Sequence, residues 1–320
     1  MIALALGLFA AAVAWAAPRA LPRARWVERA PRLGIAAWCA VLLAVTTSLV
    51  AAAALIVCSP IADTALCMAW QWCMRAAHGE FGWTGRAVAT AATAAATVIA
   101  ARLVCCGLRM ARARAGQRRR HAQLVRLAGR SSTALGATVV ECAEPAAYVA
   151  SGTAHQVVVT SGALELLSAE QLAAVLAHER AHVVGRHALL LAGVRLLQLA
   201  FPRVGLFAAA HGQLSRLAEL RADEVAAAHH EPLALARALV TMAGATVSEG
   251  RASVPPGAMA ATGGETVERL HRLLTPPARL APAQRLVVAA GIAGVAAGPA
   301  LFVVAGVLLS TPSYCPVWAA

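Results

Sequence analysis

The sequence contains no lysine and is poor in charged and aromatic residues. Charged residues make up 13% of its 320 residues and aromatic residues 4%, whereas hydrophobic residues make up 60%. Soluble domains are usually about 25% charged and about 45–50% apolar, so an ordinary soluble enzyme is excluded. All 28 basic residues are arginine, and the formal net charge is +13. Because the arginines cluster beside apolar segments, they indicate membrane topology rather than nucleic-acid binding.

Four apolar segments are candidates for membrane helices: residues 2–17, 33–58, 87–108 and 286–309. The first is short, since a bilayer core of about 30 Å needs about 20 residues. Small residues would allow it to be cleaved as a signal peptide, but no basic residue precedes it, as a signal peptide requires. We therefore expect three transmembrane helices within residues 1–108. An extracellular loop at about 59–86 would join the second helix to the third.

The arginines also predict the orientation of the chain. Five lie between the first two segments and six follow the third, namely Arg19, Arg23, Arg25, Arg29, Arg32, Arg109, Arg112, Arg114, Arg118, Arg119 and Arg120. The positive-inside rule then places both arginine clusters in the cytoplasm. We expect a multi-pass protein of the plasma membrane with a cytoplasmic domain at 109–285. Residues 286–320 would form the fourth helix and a short extracellular tail, so both termini would be extracellular.

Cysteine is present, but no CxxC pair occurs, so a cysteine zinc site is not expected. Cys58, Cys67, Cys73 and Cys315 fall at or beyond the predicted outer face. Disulfides persist in such compartments, so we expect one or two bridges whose connectivity the sequence leaves open. The other four cysteines, Cys39, Cys105, Cys106 and Cys142, are expected to be free thiols.

The region 109–285 is more polar, and its pattern predicts an α+β domain with a small sheet. Short strands are expected near 138–140, 147–150 and 156–160. A helix is expected from Ser168, because Ser168 to Gln171 form a capping box. The fold class is therefore a mainly α membrane protein, with about four transmembrane helices and a cytoplasmic α+β domain that carries a small β-sheet.

This helix carries His178-Glu179-Arg180-Ala181-His182, an H-E-x-x-H motif. Residues four apart share one helical face, so both imidazoles can bind one cation. A bound zinc ion lowers the pKa of its water, and Glu179 would take the proton as the general base of peptide hydrolysis. The alternative is a solvated helix with two surface histidines.

A second helical stretch offers a third ligand. Glu219 and Asp223 are also four residues apart, and a catalytic zinc needs three protein ligands. We predict one Zn²⁺ per chain, bound by His178, His182 and Glu219, with Asp223 accepting a hydrogen bond from a ligand histidine. The alternative is that Arg216 and Arg221 pair with these two carboxylates at the surface.

The chain resembles the membrane-embedded gluzincin peptidases from Val139 to Leu274. The likeness includes Val157 to Gly162, Leu172 to Glu179, Arg186-His187 and Glu219-x-x-Ala222-Asp223. Glu268-Arg269-Leu270 resembles a short helical segment in HtpX-like and CAAX-processing peptidases. The arrangement of spans is most similar to that of BlaR/MecR-type antirepressor peptidases, although we expect no sensor domain after the last span.

This resemblance implies a zincin-like fold for the domain at 109–285. It also implies a zinc metalloendopeptidase acting on a protein or peptide, with a cytoplasmic repressor or the enzyme itself as candidate substrates. A role in signal transduction would follow from it, but beta-lactam sensing cannot be transferred without the sensor. The alternative is a membrane signalling protein with a structural zinc site. The intact Glu179 argues against that alternative, since a structural site needs no general base.

Other parts of the peptidase site stay open in the sequence. The candidates for oxyanion or substrate contacts are His229, His230, Arg216 and Tyr148. The strand at 148–151 or the strand at 156–160 could present an exposed edge to an extended peptide substrate, and the alternative is a fully paired internal strand. His187 falls off the ligand face and is not expected to bind zinc. The stretch 189–210 is expected to be a core or interfacial element, and 248–264 a loop over the cleft.

Overall fold

A computed structural model describes residues 2–58, 83–150, 157–248 and 263–310. Cys67, Cys73 and Cys315, the short tail and most of the predicted loops at 59–86 and 248–264 lie outside the described residues. Among the described cysteines, Cys39, Cys105, Cys106 and Cys142 are free, which confirms the expectation for these four.

The described residues are mainly helical, with one small sheet. The helices are α1 Ile2–Ala20, α2 Arg25–Arg29, α3 Pro31–Cys58, α4 Trp83–Ala128, α5 Ser161–Leu166, α6 Ala169–Val184, α7 His187–Ala200, α8 Gly205–Ala227, α9 Pro232–Ser248, α10 Gly263–Leu274 and α11 Pro282–Ser310. The strands are β1 Gly129–Ser132, β2 Ala137–Val140, β3 Ala147–Val149 and β4 Val157–Thr160. The predicted mainly helical fold, with about four candidate membrane helices and a small sheet in the peptidase-like region, is confirmed, whereas the cytoplasmic position of that region stays a prediction.

Within the described residues, four helical segments are long and apolar enough to cross a membrane. They are Ile2–Arg23, Pro31–Leu55, Thr93–Gly116 and Pro282–Gly306, with mean hydropathies of 1.7, 2.2, 1.6 and 2.2. The third lies on α4, which continues as one helix into the arginine cluster. Large apolar side chains such as Leu8, Val98 and Leu286 are exposed on these helices, as contact with lipid would require.

The helices α6 and α7 are long and apolar enough for a membrane span only when the two are counted as one segment. α6 and α7 are bent by 54° where they meet. Gly185 ends α6, and Arg186 has a left-handed backbone with φ 49° just before α7 begins. α6 buries Leu172, Val175 and Leu176 in the core of the sheet-containing unit. This packing supports the interpretation of α7 as a core or interfacial element rather than a fifth span.

The chain divides into two compact units. The first comprises Met1–Val27, Leu33–Cys105 and Leu280–Ala320. Within it α1 packs against α11, where the ring centroids of Phe9 and Phe302 are 5.5 Å apart. This close approach depends on Gly298, because a Cβ there would lie 2.7 Å from Cζ of Phe9.

The second unit comprises Glu28–Arg32 and Cys106–Arg279, and it contains the sheet. The strand order is β1-β2-β4-β3, with β2 parallel to β4 and the other two pairs antiparallel. All four residues of β4 are buried, which explains its unbroken run of valines. Side chains of the sheet, α5, α6, α8, α9 and α10 then form one apolar core.

α6 begins where the sequence predicted. The backbone N–H of Gln171 donates to Oγ of Ser168 at 3.3 Å, and the N–H of Ser168 donates to Oε1 of Gln171 at 2.9 Å. These two bonds satisfy N–H groups that a helix start otherwise leaves without partners. The capping box therefore fixes the start of the helix that carries the H-E-x-x-H motif.

The corner between β4 and α5 requires a glycine. The N–H of Gly162 donates to the carbonyl of Cys142 at 2.9 Å. A Cβ at Gly162 would lie 2.0 Å from the carbonyl oxygen of Ala143, which is backbone and cannot rotate away. The loop after β2 is thereby held directly against the start of α5.

Gly162→Ala is expected to destabilise the protein by roughly 1–3 kcal/mol, since the backbone must shift to admit the methyl group. Gly193→Ala is the matched control, because a Cβ at Gly193 in α7 meets nothing within 4 Å. In mid-helix that change should stabilise by up to about 1 kcal/mol. Thermal unfolding of the purified protein in detergent measures both, and equal effects of the two variants would contradict this packing.

Candidate active site

The three side chains that the sequence predicts as metal ligands lie close together between α6 and α8. Nε2 of His178 lies 3.1 Å from Nε2 of His182. Nε2 of His178 is 3.5 Å from Oε2 of Glu219, and Nε2 of His182 is 3.3 Å from Oε1 of Glu219. Among the described residues these three side chains form a group that could hold a metal ion.

The donor set fits a zinc ion. Tetrahedral zinc with bonds of about 2.0–2.1 Å holds its ligand atoms roughly 3.3 Å apart, close to the separations found here. Oε1 of Glu219 is buried and accepts no hydrogen bond of normal geometry among the described residues. A buried carboxylate oxygen without a donor is costly, and a cation would satisfy it. Two histidines and one carboxylate are also a ligand set typical of catalytic zinc.

The electrostatics of the site favour positive charge at its centre. Burial opposes a charge on His178, but Asp223 and Glu219 outweigh burial and raise its pKa to about 9. Burial also opposes a charge on Glu219, yet His178, His182 and Arg269 hold its pKa well below the usual range. Glu219 is therefore an anion, and the field that favours a protonated imidazole would equally favour a divalent cation.

Glu179 lies next to His178 on α6 and is partly buried. Burial raises the pKa of its carboxyl, while His178 and His182 act in the opposite direction. A carboxylate with a raised pKa is a better proton acceptor than an exposed glutamate. This environment suits the general base that the motif predicts.

Asp223 lies behind His178, on the side away from Glu219. Its Oδ1 is 2.9 Å from Nδ1 of His178, although the angle departs from a linear hydrogen bond. The residue is 2% exposed. Burial would raise its pKa, but Arg269 and His178 lower it, so it is ionised. The structure thus places Asp223 within 2.9 Å of a candidate ligand histidine, while its role behind a zinc ligand stays a prediction.

Arg269 on α10 is the site residue that sequence reasoning missed. Its Nε and Nη2 donate to the two carboxylate oxygens of Asp223, each at 2.7 Å. Its Nη1 lies 2.9 Å from Oε2 of Glu219. Arg269 is 6% exposed, so this is a buried charge bound to both acidic residues of α8. In the sequence, the only indication of Arg269 was the resemblance of Glu268-Arg269-Leu270 to a segment of related peptidases. That resemblance assigned no role to Arg269.

Arg216 and Arg221, the alternative partners of Glu219 and Asp223, pair with other carboxylates. Nε of Arg216 donates to Glu268 at 2.8 Å, and its Nη2 donates to Glu28 at 3.0 Å. Arg221 pairs with Glu224 at 3.2 Å. Arg216 still lines a small pocket together with Glu219 and Arg269. Its guanidinium is thus close to the site but is engaged by two carboxylates.

The other candidates for oxyanion or substrate contacts are spread out. His229 and His230 follow the end of α8, and His229 is exposed. Because a helix rises 1.5 Å per residue, Ala227 at the end of α8 lies about 12 Å along the axis from Glu219. Tyr148 lies on β3, which packs against α6. Of these candidates, Tyr148 is on a strand that contacts the motif helix. Arg216 lies beside Glu219.

The two candidate strands for substrate addition differ in their pairing. β4 is bonded to β2 on one side and to β3 on the other, so its backbone is fully paired. β3 is at the end of the sheet and pairs only with β4 among the described strands. Residues 151–156 lie outside the described residues. Among the described strands, β3 is therefore an edge strand and β4 an internal one.

His187 is not part of the candidate ligand cluster, as the sequence spacing suggested. Its Nδ1 lies 2.8 Å from Nδ1 of His182, on the opposite side of that ring from Glu219. His187 is 4% exposed. Burial and the neighbouring His182 lower its pKa to about 4, so the ring is neutral.

Arg269→Ala is expected to destabilise the protein by about 3–5 kcal/mol, because it leaves two buried carboxylates without their cation. The matched control is Arg221→Ala, which removes a partly exposed pair with Glu224 and should cost about 0–1 kcal/mol. Chemical unfolding of the two variants in detergent provides the comparison. An Arg269→Ala protein as stable as the control would show that the buried pairing contributes little.

Comparison with known proteins agrees with this geometry. A family model described as peptidase family M48 matches residues 112–276. Neither the curated proteins nor the solved structures yielded a match. The matched residues include both helices of the candidate ligand cluster and Arg269 on α10. The chain thus belongs to peptidase family M48 and, with its four apolar helices, fits a membrane-embedded metallopeptidase of that family.

Proposed function

We propose that the protein is an integral membrane endopeptidase that uses one Zn²⁺ held by His178, His182 and Glu219. The observation that carries this proposal is the convergence of these three ligand atoms, all within 4.8 Å of one another, beside a partly buried Glu179. The family supplies the activity of a metallopeptidase. The donor chemistry and the buried acceptor on Glu219 support the identity of the metal.

When bound, zinc supplies a Lewis acid that polarises the scissile carbonyl and makes water more acidic. Glu179 takes the proton of the attacking water and later delivers it to the leaving amide nitrogen. Its raised pKa suits both transfers, since the group must accept a proton and then release it. These roles require an ionised Glu179 at the start of the reaction, whereas a structural metal site would need no such group.

Asp223 and Arg269 would support this chemistry without touching the substrate. Asp223 orients the ring of His178 through Nδ1, so that Nε2 faces the metal position. Arg269 holds both Asp223 and Glu219, which fixes the relative position of the two carboxylates. The site is thereby assembled before any substrate binds, which favours catalysis by preorganisation.

We propose that an extended segment of a protein substrate adds to the outer edge of β3. Main-chain hydrogen bonds to a strand edge bind a peptide without demanding a particular sequence. β3 packs against the motif helix, so a peptide added there would run close to the candidate metal position. Tyr148 on this strand is the candidate for contact with the substrate.

The membrane orientation is part of the proposal. The positive-inside rule supports a cytoplasmic peptidase domain at 109–285, with three spans before it, one after it, and both termini outside. The structural division after Cys105 and after Arg279 supports boundaries near those positions. Regulatory proteolysis of a cytoplasmic repressor, or self-cleavage, is supported by the resemblance to antirepressor peptidases.

Glu179→Gln is expected to abolish proteolysis while zinc remains bound, because it removes the base and leaves all three ligands. The expected loss is about 10²–10⁴-fold in rate. Glu170→Gln is the matched control, since Glu170 is exposed in the first turn of the same helix. Cleavage of unfolded casein and of the protein itself, together with metal content, measures the effect. A wild-type protein as inert as Glu179→Gln, with zinc in both, would rule out the peptidase.

The orientation can be tested with reporters fused to the full chain. Alkaline phosphatase after Ala320 should be active, because that enzyme folds outside the cytoplasm, whereas a fluorescent protein there should stay dark. A fluorescent protein inserted after Arg120 should be bright, since the second arginine cluster is predicted to be cytoplasmic. The reverse pattern at both positions would refute the proposed orientation.

A further inference from the structure

His182 presents its two ring nitrogens to different partners. Nε2 lies 3.1 Å from Nε2 of His178 and 3.3 Å from Oε1 of Glu219, at the candidate metal position. Nδ1 lies 2.8 Å from Nδ1 of His187. The rings of His182 and His187 meet edge to face, with centroids 4.9 Å apart and planes at 85°. One nitrogen is thus turned to the ligand cluster and the other to a second histidine.

The chemistry of imidazole then assigns the hydrogens of both rings. A neutral imidazole has one N–H and one lone pair, and a metal ligand must offer the lone pair. If Nε2 of His182 is the ligand atom, its Nδ1 carries the hydrogen and donates it. Nδ1 of His187 must then be the acceptor, which places the hydrogen of His187 on its Nε2. Each ring therefore has one tautomer that serves the site.

The backbone between the two histidines is built for this contact. α6 ends at Gly185, and Arg186 takes the left-handed conformation with φ 49°, which is unusual for a residue other than glycine. This turn starts α7 at His187 and brings its ring back beside His182. A Cβ at Gly185 would lie 2.4 Å from Nε2 of His187 and 2.7 Å from its Cδ2. The His187 ring thus occupies space that only a glycine at 185 leaves open.

We propose that His187 is a positioning residue that accepts a hydrogen bond from Nδ1 of His182 and so fixes the tautomer and ring orientation of this zinc ligand. This inference rests on the proposed function, since it assumes that His182 binds zinc. His187 would do for His182 what Asp223 does for His178. The two ligand histidines are then held from behind by different groups, a carboxylate on α8 and a neutral imidazole at the start of α7.

The competing explanation is that His187 only fills space in the core between α6 and α7. The two explanations differ in what a replacement must provide. Phenylalanine fills the space but accepts no hydrogen bond, whereas asparagine is smaller yet places its amide oxygen near the position of Nδ1. A packing role predicts that phenylalanine is the better substitute, and a positioning role predicts asparagine.

The experiment measures zinc affinity and stability of the full-length protein in detergent. The metal is removed, Zn²⁺ is titrated against a chromogenic chelator, and thermal unfolding of the metal-free form is recorded. The variants are His187→Phe, His187→Asn and Gly185→Ala. His211→Phe is the matched control, because His211 is a partly buried histidine near the start of α8 and outside the site.

We expect His187→Phe to weaken zinc binding by about 10–100-fold, as is typical when the partner behind a ligand is lost. His187→Asn should stay close to the wild type, as should the His211→Phe control. Gly185→Ala should also weaken binding, because its methyl group displaces the ring. The backbone at Gly185, with φ −72° and ψ −7°, is one that alanine adopts, and besides the ring the added Cβ would meet the carbonyl oxygen of Ala181 at 3.0 Å.

Wild-type affinity in His187→Phe, or an equal loss in His187→Phe and His187→Asn, would overturn the proposed role. So would a loss of affinity matched by an equal loss of stability in the metal-free protein. If His187→Phe does not fold, Gly185→Ala with unchanged zinc affinity would overturn it instead. A wild-type protein that binds no zinc would be a different result, since it would remove the proposed function itself.

Discussion

The structure depends on the buried ion pairs between Arg269 and the two carboxylates of α8. Glu219 and Asp223 are four residues apart on one helical face and are both largely buried, so each needs compensating charge. Arg269 supplies one positive charge to both. Two ionised carboxylates and one guanidinium leave a net charge of −1, and an ionised Glu179 makes it −2. A divalent cation at the ligand cluster would bring this balance to zero, which is a physical reason for a metal there.

This charge balance explains why α6, α8 and α10 must pack together. α6 provides the two histidines, α8 the two acidic residues and α10 the arginine. None of these groups could be buried alone at tolerable cost, since an unpaired charge in a core is strongly destabilising. The apolar core beneath them, which includes Leu172, Ala226 and Leu273, holds the three helices in register. Catalytic geometry and domain stability therefore rest on the same helix packing.

Much of this arrangement could be predicted from local sequence patterns. The H-E-x-x-H spacing, the capping box at Ser168 and the apolar spans are all properties of short segments, where periodicity and chemistry are visible. Arg269 was missed because it lies 46 residues from Asp223, and no spacing rule connects them. Arg216 and Arg221 were nearer in sequence and so were the obvious partners. The edge position of β3 was likewise open, because strand order depends on tertiary contacts.

The two candidate ligand histidines also differ in the sequence distance to the residue that contacts each of them from behind. His182 and His187 are five residues apart, so their contact forms with a single turn of backbone at Gly185 and Arg186. His178 depends on Asp223, which in turn depends on Arg269, so its support forms only when three helices have packed. A metal site that needs the packed helices binds the folded state alone, and binding then adds to folding stability. Zinc would therefore stabilise the folded state in which these helices are packed, because both histidines meet Glu219 of α8 only there.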